Sequence, residues 1–415
     1  SRRQRQMCIR DRSIPLKKCS YCKKFIIATI LLSIGLSSSI YATETTYLDD
    51  LPIEIELPVL PEPPTEDTVL DQNTPSDNPH PLSEEELQAK FLEILKGILE
   101  SRNQDLLKTD IEHLKDLYDT HIKTGLYAFE HEEIKAKYLK NWADKQGITF
   151  HDIHSQIHMR KVRDRGNGLF GMTCNVATEF TYSYTDSPEA ITSFKLGTSH
   201  YIHLQEKDGT YKIVKEWYTD PFADSLDITN EKSEEMKQFI LNHKAPDYKI
   251  DERTQKAVDY AHMWCGIGEG ENLFRYNKKY LNCNPRGGDC ANFASQILYE
   301  GGGFKKNGTW NYTNDGTKAW LNAQAFKNYW VGSGRASYIA KGSYKEVYQS
   351  AYQLRPGDIV AYEKKGRITH VSTVTGLDSK GYPLVTCHNT DRLLVPYDLG
   401  WSNKSITFHL IDVHY

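Results

Sequence analysis

Apolar residues recur at helical spacing where the folded sequence begins and change to alternation further on. Ser83 followed by Glu84, Glu85 and Glu86 predicts a helix start, a capping hydroxyl followed by acids where the helix dipole favours them. Leu87, Phe91, Ile94, Leu95 and Ile98 continue that helix at a 3.6-residue period. Leu106, Ile111, Leu114 and Leu117 predict a second helix, and Ile134–Ala143 a third. From about His154 the pattern alternates. TEFTYSYT, TSFKLGTSHYIHLQE and GTYKIVKEWY have the period and the Thr, Tyr and Val content of strands, with Asp208-Gly209 as a hairpin turn between the last two. Helices followed by an antiparallel sheet define a small α+β accessory domain over 84–225.

A connector, 226–250, contains a helical stretch from Glu231 to Asn242. The last segment, 251–415, predicts helices over Asp251–Trp264, 290–302 and 317–331. Strands follow near 358–363, 369–376, 383–388 and 406–413, a second α+β pattern. Residues 43–83 hold eight of the sixteen prolines, are strongly acidic and carry no periodicity, the composition of an extended linker. Upstream, Lys17, Lys18, Lys23 and Lys24 precede a 12-residue apolar run, Phe25–Leu36, and SSSIYA ends at Ala42. This is a secretory signal pattern with cleavage expected after Ala42, and the run is short for a membrane span. An uncleaved anchor is the alternative. Residues 1–13, SRRQRQMCIRDRS, resemble translated adapter read-through and are set aside, so 1–42 read as artefact plus signal peptide. A secreted or cell-wall-associated protein is expected.

The composition, 39% apolar and 26% charged over 415 residues, excludes a polytopic membrane protein and a wholly disordered chain. The net charge of -4 is unevenly spread: +8 over 1–42, -17 over 43–250 and +5 over 251–415. The last value is too small for a nucleic-acid-binding face. Beyond the signal the chain keeps Cys174, Cys265, Cys283, Cys290 and Cys387, an odd number that leaves at least one thiol free within a single chain. Whether Cys265 and Cys283 are bridged stays open. Cys19-x-x-Cys22 lies inside the signal's basic region and reads as chance. His151, His154 and His158 could hold zinc, but surface histidines are the simpler reading, and no metal is expected. HEEIK at 131 lacks the second His of a zinc-protease helix, there is no G-x-S-x-G elbow, and GGGFKKNGT lacks the end of a phosphate loop.

The chemistry concentrates in YNKKYLNCNPRGGDCANFASQILY, residues 276–299. Gly287-Gly288 break the chain, and Asp289-Cys290 stand where a helix begins. A Cys at a helix N-terminus has its thiolate stabilised by the dipole and the unpaired N–H groups. The same N–H groups can bind the oxyanion of a tetrahedral intermediate. Such a nucleophile needs a base, usually His. Ile368-Thr369-His370-Val371 places His370 on a strand, and Val385-Thr386-Cys387-His388-Asn389 supplies a further polar position on the next.

This order resembles the papain-like cysteine amidases of bacteria, and most specifically the putative bacterial amidase family. The motifs that carry the resemblance are Tyr276-Asn277 with Tyr280, the run Asp289-Cys290-Ala291-Asn292-Phe293-Ala294-Ser295-Gln296, and Trp310, Trp320 and Trp330. Leu354–Val360, His370-Val371 and His388-Asn389-Thr390-Asp391 follow in order. A more distant likeness extends to NlpC-type and CHAP cell-wall peptidases. The resemblance implies a papain-like domain over 251–415 with Cys290 as nucleophile, His370 as base and His388 orienting the imidazole. Asp391 and Asn389 compete for that third role. It also implies oxyanion or support roles for Tyr280, Asp289, Asn292 and Gln296, although Asn292 and Gln296 read first as ties to neighbouring loops. Asp358 reads as a turn cap and the tryptophans as core. The expected activity is hydrolysis of a peptide amide through a thioester, without cofactor, on a peptide or peptidoglycan substrate. Acyl transfer on the same site and a wall-binding or adhesive module with a vestigial site are the alternatives. The accessory domain resembles the cone of the nuclear-transport-factor superfamily on topology alone.

Overall fold

Ser83 caps the first helix reciprocally. Its hydroxyl accepts the Glu86 N–H at 3.2 Å, and the Glu86 carboxylate accepts the Ser83 N–H at 2.9 Å. The computed structural model describes residues 82–222 and 231–415, so the signal segment 1–42 and nearly all of the linker lie outside the described residues. Helix α1 runs Glu84–Lys108, so Leu106 belongs to it and not to the next. Thr109, at φ 57°, ends it in the left-handed region. Helix α2 is short, Ile111–Asp116, and α3 spans Lys123–Gln146, starting well before the apolar stretch that predicted it.

Four long strands follow: β1 Ile148–Asp164, β2 Leu169–Tyr184, β3 Ser187–Lys207 and β4 Thr210–Tyr218. Asp208 (φ 53°) and Gly209 (φ 78°) supply the two left-handed residues of the β3–β4 hairpin. The HDIHSQIH stretch lies inside β1. His151 bonds Ser183 Oγ there, and the described residues contain no group of three side chains able to hold a metal.

Beyond the connector come α4 Glu234–Asn242 and α5 Glu252–Trp264, the latter capped by Asp251 on the Thr254 N–H. Helix α6 is Cys290–Gln296 and passes into a wider π turn, Ile297–Gly301. The helix expected over 317–331 is two, α7 Lys318–Leu321 and α8 Ala323–Gly332, because Asn322 breaks the chain and caps the second through the Ala325 N–H. Strand β5 Ala336–Gly342 precedes α9 Tyr344–Val347. The remaining strands are β6 Ile359–Lys364, β7 Arg367–Leu377, β8 Pro383–Cys387, β9 Arg392–Pro396 and β10 Ile406–Val413. The chain is α+β.

All ten strands form one antiparallel sheet in the order β1-β2-β3-β9-β8-β7-β6-β10-β5, with β4 paired to β3. Strand β3 is the joint. Its end beyond His200 pairs β4, while Lys195 and Leu196 pair Leu393 and Arg392 of β9. The Gly197 N–H donates to the Asp391 carbonyl at 2.7 Å. The core is continuous across the joint, with Trp142, Phe180 and Phe194 in one cluster with Tyr362, Tyr397 and Phe408. At its centre Lys232 and Asp398, both fully buried, lie 3.1 Å apart. Asp398 also accepts from Trp142 Nε1 at 3.0 Å and Tyr382 Oη at 2.6 Å, and the ammonium lies over the Trp142, Tyr344 and Tyr382 rings. Removing one partner of such a pair costs roughly 3–5 kcal/mol, because the other charge stays buried.

A Cβ at Gly197 would lie 2.7 Å from Ile267 Cγ2 and 3.0 Å from Asp391 Cβ. Gly197→Val is therefore expected to destabilise the protein by about 1–3 kcal/mol through overpacking. Urea unfolding measures this, and an unchanged midpoint would show that β3 does not clamp the two halves.

Candidate active site

The Gly287-Gly288 break is a structural requirement. Both residues have positive φ, and a Cβ on Gly288 would lie 2.4 Å from Asn389 Nδ2. That contact lets Asn389 Oδ1 accept the Asp289 N–H at 2.7 Å, which fixes the approach to α6. Asn389 and Thr390, at φ 73° and 54°, form the tight turn between β8 and β9 that delivers the acceptor.

Asp289 is the hub of the site. Its Oδ1 accepts the Cys283 N–H at 2.9 Å and Asn292 Nδ2 at 2.8 Å, and its Oδ2 accepts His388 Nδ1 at 2.6 Å. His388 lies flat on Phe293, ring centres 3.7 Å apart, and its Nε2 meets the Trp264 carbonyl at 2.9 Å. Both ring nitrogens face acceptors, which favours the imidazolium. Burial alone would lower the His388 pKa, but Asp289, Asp391 and the Trp264 carbonyl outweigh it and raise it. Asp391 accepts the Tyr276 hydroxyl, and its own pKa is pushed up to about 6, by burial first and by Asp289.

Cys290 is the first residue of α6 and is buried. The N–H groups of Val371 and Ala291 favour its thiolate. Burial opposes them, reinforced by Cys387 and Asp289, and the thiol is pushed up to about 12. A seven-residue helix start thus loses to desolvation, and Cys290 rests as a neutral thiol.

The expected Cys290–His370 pair is not formed. Cys290 packs with Ile368 and Val371 on one face of the sheet, whereas His370 points to the other, against Tyr362 and Trp401. The physical reason is strand parity: Val371 and His370 are neighbours on β7, so only one can face α6. His370 Nε2 meets Cys387 Sγ at 3.2 Å, and burial, aided by Arg392, drops its pKa to about 3. Nor does His388 orient His370, since both its nitrogens are engaged elsewhere. Leu384, Thr386 and His388 alternate with Val385 and Cys387 as a strand requires, so His388 faces α6 while Cys387 faces His370.

The other candidate residues act as supports. Asn292 donates to the Leu281 carbonyl and accepts Trp320 Nε1 at 2.9 Å; Gln296 accepts the Tyr260 hydroxyl at 3.0 Å. Tyr280 donates to Glu300 at 2.8 Å, which carries its hydroxyl toward the far end of the helical run and not to Cys290. Asp358 closes its turn by accepting the Arg355 and Val413 N–H groups, and Trp310, Trp320 and Trp330 are buried core. The five described cysteines are free, Cys265 and Cys283 included. Tyr276 and the Trp264 carbonyl were not singled out as site groups from sequence, although Tyr276 stands in the motif that opens the region.

Residues 251–411 match the family model described as a putative amidase domain. No curated protein matches the chain. The matched stretch contains Asp289, Cys290, His370, His388 and Asp391, and it starts at the Asp251 cap of α5.

Two measurements probe this site. In the resting protein, alkylation of Cys290 by iodoacetamide should keep rising with pH beyond 9, and a plateau near neutrality would reveal a preformed thiolate. The second is the acid limb of stability. With a folded pKa of about 3, His370 stays neutral between pH 6.5 and 3 while the unfolded chain binds a proton, so stability falls as pH drops through that window. At about 1.4 kcal/mol per pH unit, His370→Phe should remove up to about 2 kcal/mol of the loss between pH 7 and 5. Parallel wild-type and variant curves would refute the assignment.

Proposed function

We propose that the amidase domain hydrolyses a peptide amide with Cys290 as nucleophile, on a papain-like arrangement, in an exported protein acting on cell-wall peptides. The observation that carries the reading is Cys290 at the first turn of α6, where the Val371 and Ala291 N–H groups favour its thiolate, inside the stretch that matches the amidase family. The signal-like N-terminal sequence supports export, and the likeness to wall peptidases supports the substrate.

His388, ion-paired with the Asp289 that precedes Cys290, takes the role first assigned to His370. Substrate binding frees His388 Nε2 from the Trp264 carbonyl. The Cys290 thiol first loses its proton to solvent base; the thiolate then adds to the carbonyl carbon, and backbone N–H groups at the helix start hold the oxyanion. The C–N bond breaks as the His388 imidazolium gives its proton to the leaving amine, leaving a thioester. Water then attacks, its proton passing to His388, and the C–S bond breaks to release the acid and restore the thiolate. Asp289 holds the imidazole throughout.

A second reading has its own observation. The neutral, buried thiol and the distant His370 are what a wall-binding module with a vestigial site would show. Incubating the protein with purified peptidoglycan and identifying released fragments by mass spectrometry separates the two. Cys290→Ser is expected to cut turnover by on the order of a thousandfold, with Cys174→Ser nearly silent. The rate constant kcat/KM should rise toward alkaline pH, following thiol ionisation. Absence of any cleavage by the wild-type protein would favour the vestigial site.

A further inference from the structure

The first half of the sheet encloses a polar cluster that amide hydrolysis does not use. Between α1, β2 and β3 lies a recess of 380 Å³ counting its open mouth. Its enclosed part has room for one small polar head, with the rest of a ligand lying toward the open mouth. Arg102, Lys135, Asn103, Thr178, Thr198 and His200 present polar side chains to it. Leu106, Phe180, Leu196 and Pro221 supply an apolar wall.

The charges are arranged asymmetrically. Arg102 and Lys135 line the recess, and no carboxylate does. Glu216 lies behind, accepting Arg102 Nη1 at 3.0 and 2.9 Å and His200 Nδ1 at 2.8 Å, so the guanidinium is held rigidly from its far side. His200 donates through Nδ1, and its Nε2 accepts the Thr198 hydroxyl at 2.7 Å. Lys135 uses one N–H on Tyr218 Oη at 2.9 Å, with Glu132 3.7 Å away. Arg102, Glu216 and His200 are almost wholly buried. A core needing only stability could replace such charges with apolar side chains at little cost, so their retention around a void points to a ligand.

We propose that this recess binds the carboxylate end of a small amphipathic acid, with the head between Arg102 and Lys135 and a short alkyl chain along Leu106, Phe180 and Leu196. The site is separate from Cys290 and does not depend on the hydrolase reading.

Thermal denaturation and calorimetric titration of the full chain test it, with sodium butyrate, butan-1-ol and butylammonium chloride as probes at matched ionic strength. Butyrate should raise Tm saturably, as a ligand of the folded state does, and the alcohol and the amine should not. Lys135→Met keeps the stem and removes the charge, and should shift the butyrate response at least tenfold in concentration. Thr178→Leu fills the recess and should abolish the response, which keeps the test decisive if Lys135→Met fails to fold. No saturable effect of butyrate, an equal effect of butanol, or a response unchanged in the variants that fold would overturn the proposal.

Discussion

A carboxylate taken out of water is costly unless both oxygens find donors, and Asp289 meets that demand at the centre of the candidate site. One oxygen gathers the Cys283 N–H and the Asn292 amide, and the other takes His388. The loop before α6, the helix itself and the β8–β9 turn are therefore fixed relative to one another by a single side chain, with Asn389 closing the circle through the Asp289 N–H. Much of the polar order around Cys290 follows from satisfying that charge. Gly288 is needed because Asn389 lies against it, and His388 can hold its proton at that depth because Asp289 is there to share it.

The same burial sets the character of the Cys290 thiol. Two N–H groups favour the Cys290 thiolate, yet burial outweighs them and the neutral thiol prevails. Two buried imidazoles, on opposite faces of one sheet, show how directly surroundings fix protonation. His370 has a sulfur for a partner, with the Arg392 cation nearby, and is neutral. His388 has a carboxylate and a carbonyl, which favour its charged form.

Local signals carried far in this sequence. The Ser83 capping box, the Asp208-Gly209 hairpin, the Gly-Gly break before Cys290 and most strand cores were legible because each depends on a few neighbouring residues. What could not be read was set by long-range pairing. Strand β9, five residues containing Arg392 and Pro396, has no alternation to betray it and exists because β3 and β8 flank it. The facing of His370 depends on a register shift between Tyr362 and Glu363 in the β6–β7 ladder, which no residue pattern announces. Cys290 was legible as a chemical candidate, and which histidine faces its helix was not, since that depends on which side of a strand meets the helix.

The continuous sheet also limits how this chain can be divided. Cutting between the first half and the stretch that matches the amidase family model would strip β3 from β9, leaving main-chain groups of a short, apolar strand without that ladder. It would also uncover Ile267, Phe293 and Leu393, which pack in one cluster with Ala177 of β2. The stretch that matches the family model is thus recognisable in sequence yet lacks a finished surface of its own. Its inheritance and exchange as an independent cassette would require a substitute strand at that edge, supplied by another domain or by a second copy.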